Sequence, residues 1–205
     1  MKNQFHHGVG ENLIEENSLN NFINFMSLRI TMRILFISFL FLPIVCLGAC
    51  MDFYNQDLKT LQGERFDLCK HQDKPILFVN TASKCGFTPQ FEALESLYNN
   101  NKKNILVVGF PSNDFNQELT TDKEIQDFCK LTYAVEFPMM SKSSVIGPKA
   151  NPVYKNLTSI TGEAPLWNFY KFLVMPNAES VHVFGSMTSP DSKKIINLLK
   201  PNINN

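Results

Sequence analysis

The residues of this 205-residue chain best suited to covalent chemistry are its five cysteines, Cys46, Cys50, Cys69, Cys85 and Cys129. No C-x-x-C occurs and no Cys/His cluster has zinc-ligand spacing, so neither a metal nor a cofactor is expected. An odd number leaves at least one thiol unpaired, and the chain is long enough to build a core without disulfides. Redox or catalytic use of a cysteine is therefore expected in preference to a disulfide framework. Cys85 is the leading candidate. In "ILFVNTASKCGFTPQ" (76–90) it follows an apolar run, with Lys84 before it, Gly86 after it and Pro89 opening a helix. A thiol reacts as its thiolate, and three features would favour that form. A helix N-terminus offers unpaired N–H groups, Lys84 a cation, and Gly86 a backbone that can turn amides toward the sulfur. The bland alternative is a buried structural cysteine.

The elements that must position this corner follow from periodicity. "FYNQDLKTLQGERFDL" (53–68) predicts a short hairpin around Gly63. "PILFVN" (75–80) and "NILVVGF" (104–110) are fully apolar strands. "TPQFEALESLYNN" (88–100) places Phe91, Leu94, Leu97 and Tyr98 at helical spacing, with Pro89 in the first turn. "TTDKEIQDFCKLT" (120–132) opens with a capping pattern, Thr121 and Glu124. "FYKFLVMP" (169–176) and "SVHVFGS" (180–186) read as a two-strand ribbon turning at "NAE", and "SPDSKKIINLLKP" (189–201) as a closing helix. The order β-α-β-α-β-β-α predicts an α/β fold, a central mixed sheet flanked by helices in the thioredoxin-like arrangement.

Four motifs then fall in register: "NTASKCGFT" (80–88), "GFPSNDF" (109–115), "EFPMMSK" (136–142) and "WNFYKFLV" (167–174). Together, over about residues 52–200, they resemble the glutathione peroxidase family. The resemblance implies that Cys85 is the peroxidatic residue, which reduces a hydroperoxide and becomes a sulfenic acid. It implies that Trp167, the sole tryptophan, and Asn168 donate hydrogen bonds toward sulfur or peroxide. The family's glutamine in "FPCNQF" is matched here by Asp114, which cannot donate when ionised and would raise the thiol pKa. Asp114 would have to face solvent or Lys84, carry a proton, or act as a base, and Gln117 is a possible substitute. Cys129 occupies the place of the resolving cysteine in members that form an internal disulfide reduced by thioredoxin. The bland reading packs it beside Ile125 and Phe128. For that disulfide the helix would have to unwind locally, which the weak helix formers of "CKLTYAVEF" suit.

Selenium-type members use glutathione instead. Lys142, Lys149 and Lys155 could grip it, or simply form a solvated face. The short 143–166 segment is similar to monomeric enzymes acting on bulky lipid hydroperoxides, which predicts a monomer. A hydroperoxide sensor relaying oxidation to a partner is the alternative. A metal-delivery protein of this fold would need a second cysteine at the corner, and a cysteine hydrolase using His182 lacks any signature around Cys85.

Zero net charge, 44% hydrophobic and 19% charged residues fit one globular domain and argue against nucleic acid as a partner. The Asn runs suit an AT-rich genome such as an apicomplexan's. Residues 1–31 read as a polar, Asn-rich leader. Residues 32–50, with Arg29 and Arg33 ahead of an apolar run broken by Pro43, read as a signal sequence or marginal membrane anchor. This predicts export or organelle targeting, with membrane contact only through that segment if it is uncleaved. A lipidated Cys50 in "LGAC" is a less favoured variant. Residues 51–205 are the expected peroxidase-like domain, and "NLT" (156–158) is a glycosylation sequon.

Overall fold

The computed structural model of the protein describes residues 49–203. The leader and the 32–48 part of the targeting segment lie outside them. The central sheet has the strand order β4-β3-β5-β6. β3 (Ile76–Thr81) and β4 (Leu106–Pro111) are buried along their whole lengths and pair in parallel, Ile76 opposite Leu106. Burial on both faces is why both read as continuous apolar runs. β3 also pairs antiparallel with β5 (Lys171–Val174), which pairs antiparallel with β6 (Val181–Phe184).

The pleat divides the interior in two. Leu77, Val79 and Leu173 join one core with Cys85, Cys129 and residues of α1 (Gln90–Asn101), α2 (Asp122–Tyr133) and α4 (Lys193–Ile203). Ile76, Phe78, Phe172 and Val174 join the other, with Val153, Tyr154 and Leu157 of α3 (Pro152–Thr161). α1 buries Phe91, Leu94 and Leu97 as its periodicity predicts. α2 carries the expected capping box: Thr121 Oγ1 accepts from Glu124 N, and the Glu124 carboxylate accepts from Thr121 N.

The segment 137–141 runs beside β4, with Gly109 N donating to Pro138 O and Met140 N donating to Gly109 O. A Cβ at Gly109 would meet the Met139 side chain, so glycine favours that close approach.

The thioredoxin-like arrangement is present, with differences from expectation. The hairpin shrinks to β1 (Leu58–Lys59) and β2 (Arg65–Phe66) around Gly63, whose φ is 81°. α3, inside the 143–166 segment, was not expected. It is built by Asn151 as N-cap, Pro152 at the first helical position and Gly162 in the left-handed C-cap. The expectation against disulfides is also corrected. Cys50 and Cys69 are bonded, with Cα atoms 5.4 Å apart. The bond ties the end of the predicted targeting segment to a short 3₁₀ turn (Leu68–His71) capped by Asp67. A sulfur in that bond is not available for lipidation. Among the described residues no helix is long and apolar enough to cross a membrane.

Closing a loop of this size by a disulfide contributes about 3 kcal/mol through the unfolded chain. The double variant Cys50→Ser/Cys69→Ser is expected to melt ~6–12 °C lower by calorimetry.

Candidate active site

Cys85 lies on the turn between β3 and α1, buried, in the same core as Cys129. The turn is held from inside by Thr88, whose hydroxyl accepts from Cys85 N at 3.1 Å and donates to Ala82 O at 2.9 Å. It is held from outside by the 117–118 strand of chain. Lys84 N donates to Gln117 O, and Ser83 N donates to the Glu118 carboxylate at 3.0 Å. The geometry aims Phe87 N–H at Cys85 Sγ, 3.4 Å away.

The other expected aids to the thiolate act differently. Helix α1 starts only at Gln90, beyond a run of turns. Lys84 is exposed, and its charge acts on Glu124. Gly86 has no positive φ, and a Cβ there would meet nothing within 4 Å, so the turn does not depend on glycine.

Asn168 is fully buried and donates from Nδ2 to Gln117 Oε1 at 2.9 Å. Its Oδ1 is buried without a partner among the described residues. Gln117, by its backbone against Lys84 and its side chain against Asn168, is thus the amide at the cysteine turn. Asp114 is not. Its carboxylate accepts from Ser144 Oγ, Val145 N and Ile146 N, which spends its lone pairs closing the 144–146 loop. The carboxylate thus meets the 144–146 loop rather than Lys84 or the Cys85 sulfur. Trp167 is 42% exposed, and its ring packs on Phe115 with centroids 5.3 Å apart. The hydrogen bond reaching Cys85 Sγ comes from Phe87, not from the indole or Asn168.

Both ends of the 167–170 turn are fixed by Asn80 at the end of β3. Its Nδ2 donates to Trp167 O and its Oδ1 accepts from Tyr170 N, each at 3.0 Å. Sequence reasoning missed this residue, though a lone Asn in an apolar strand run was the available signal. It also missed Glu118. Burial raises that carboxyl's pKa, against the lowering effect of amide hydrogen bonds from Ser83 and Leu119.

Cys129 is 3% exposed on α2. Burial, helped by the charge of Glu118, pushes its pKa up to about 12. Its carbonyl accepts from Ala134 N and Val135 N at the helix end, and Ala134 is left-handed there, with φ 51°. The expected glutathione lysines are partly committed. Lys142 Nζ donates to Leu119 O and Thr120 O, while Lys149 and Lys155 are exposed. His182, in β6, has its ring nitrogen against Ser180 Oγ at 3.3 Å.

The glutathione peroxidase family model matches residues 53–158. The chain belongs to the glutathione peroxidase family. It is 43% identical over 147 residues to glutathione peroxidase-like peroxiredoxin 2 of Saccharomyces cerevisiae, covering 68% of this chain and 91% of that one. It is 39% identical over 150 residues to a hydroperoxy fatty acid reductase of Synechocystis, covering 67% and 89%. Among solved structures, "Trgpx in apo form" superposes with a TM-score of 0.59 at 32% identity, over 75% of this chain and 97% of that one.

The Cys129 thiol has a testable signature. Its folded pKa of about 12 lies above the ~8.5 of an unfolded thiol. The folded chain therefore keeps a proton that the unfolded chain gives up. Stability complete below pH ~8.5 is lost as pH rises toward the folded value. Urea unfolding of the reduced protein should show stability falling above pH ~8.5, and falling less in Cys129→Ser.

Proposed function

We propose that this member of the family reduces hydrogen peroxide and organic hydroperoxides, bulky lipid ones included, to water and alcohols. The supporting observation is a single buried thiol with a backbone N–H on its sulfur, beside the Gln117–Asn168 amide pair. The Cys85 thiolate attacks the distal peroxide oxygen, the O–O bond breaks, and the departing alkoxide takes a proton. Gln117 Nε2, whose partner oxygen accepts from Asn168, is the donor assigned to the peroxide.

Cys129 then resolves the sulfenic acid. Its sulfur displaces hydroxide from Cys85, the proton it sheds completes a water, and a disulfide remains. A dithiol protein of the thioredoxin type restores both thiols. The buried thiol near pH 7 is protonated and must leave its pocket to react. What supports that movement is the exposed run from Lys130 to Thr132 and the left-handed Ala134 that ends α2. The short connection containing α3 supports a monomer with an open site. The Cys50–Cys69 bond supports an oxidising compartment reached through the 32–50 segment.

Peroxide consumption should vanish in Cys85→Ser. In Cys129→Ser one sulfenic acid per chain should form, and thioredoxin-driven turnover should stop. Undiminished turnover there, or turnover with glutathione alone, would reverse the assignment of Cys129. Glycine at a left-handed C-cap is favoured over alanine by about 1 kcal/mol. Ala134→Gly should therefore hold α2 closed and slow disulfide formation roughly fivefold in stopped flow. In the native host, a maleimide should label Cys85 and Cys129 but not Cys50 or Cys69 before reduction. Labelling of all four would overturn the oxidising compartment.

A further inference from the structure

Lys171 is the only lysine with a wholly buried side chain among the described residues. No carboxylate lies within ion-pair distance of it among those residues. A buried ammonium without a counter-ion is costly, and burial pushes its pKa down to about 7.

The destination of its three N–H groups suggests what it does instead. Lys171 lies on β5 with its stem toward the core that holds Cys85, and Nζ donates to Gln90 Oε1, Thr188 O at 2.7 Å and Ser186 O at 3.4 Å. Gln90 is the first residue of α1, so the ammonium grips the helix that follows the cysteine turn. Gln90 Nε2 donates in turn to Ser186 O at 2.7 Å. Ser186 Oγ donates to Asn168 O at 2.6 Å. Asn168 holds Gln117, and Gln117 holds the backbone of Lys84. The chain of contacts thus closes a ring from α1 through the 186–188 loop to the amide pair. It meets the 167–170 turn at Asn168 O, next to Phe169, whose φ of 59° is one that a bulky residue resists.

We propose that Lys171 is a positioning residue for the peroxidatic site, its buried ammonium latching α1 to the 186–188 loop so that Ser186 holds Asn168, and through it Gln117, in place. It rests on the peroxidase reading above and adds a residue that does not touch the peroxide. Three donors on one centre are needed to hold three oxygens in two segments, which neither a neutral isostere nor glutamine provides.

The sole tryptophan reports on the turn. Full-length Lys171→Met, Lys171→Arg and Ser186→Ala are compared with wild type. Trp167 emission is read without peroxide, and the reduced proteins are then mixed with hydrogen peroxide in single turnover. Lys171→Met, where it folds, should show a shifted emission and a second-order rate at least tenfold lower. Lys171→Arg should recover part of the rate and emission, and Ser186→Ala should move both in the same direction by less. A folded Lys171→Met with wild-type emission and rate overturns the latch. Should Lys171→Met fail to fold, wild-type emission and rate in Ser186→Ala overturn it. The emission is independent of peroxide chemistry, so a fully active Cys85→Ser would sink the peroxidase reading while leaving the emission test of the latch standing.

Discussion

Asn80 is the constraint from which the rest of the site hangs. It sits at the far end of a strand buried on both faces, where an unpaired amide would cost about 1–3 kcal/mol. Every polar group it owns is spent on one turn. Its backbone N donates to Tyr170 O and its backbone O accepts from Phe169 N at 2.7 Å, while its side chain bridges Trp167 O and Tyr170 N. The turn carries a left-handed phenylalanine, so it needs that many ties. Because β3 also leads directly into the cysteine turn, one strand end fixes both the thiol and the amides set beside it.

Cys85 and Cys129 share a core but make different contacts. Cys85 has a peptide N–H on its sulfur. Cys129 has apolar neighbours and the field of a buried carboxylate, both of which favour the proton. In the proposed cycle this keeps the second thiol inert while α2 is intact. Chemistry at the first can precede the movement that exposes the second. Glu118 touches both halves of this arrangement, because the same carboxylate accepts from Ser83 in the cysteine turn.

Much of the fold could be read from the sequence, because β3, β4 and α1 carry single-period apolar patterns long enough to be unambiguous. α3 was missed because its ten residues mix polar and apolar types, and its signals are only the Asn-Pro start and the glycine stop. The thiol corner and the Trp-Asn pair were legible as motifs. What motifs do not carry is direction. Asp114 stands in the right stretch but turns its carboxylate to the 144–146 loop, while Gln117, three residues on, turns inward. Lys84 is adjacent to Cys85 in sequence but is exposed, and its charge acts on Glu124. Asn80, Lys171 and Ser186 act across 87, 81 and 96 positions of chain in their bonds to Trp167, Gln90 and Gln90 respectively, separations no local pattern records. The Cys50–Cys69 bond was hidden for the same reason, since pairing depends on Cα separation rather than count.

The sheet puts the two kinds of cysteine on opposite sides. Cys85 and Cys129 belong to the core beneath α1, α2 and α4, whereas Cys50 and Cys69 pack against the core that holds α3. In the proposed cycle, turnover breaks helical structure in the first of these at every round. The second is riveted covalently and contains none of the moving parts. The sheet therefore serves as a bulkhead: repeated partial unfolding on one side is walled off from the other, and the enzyme can be loose where it works without being loose as a whole.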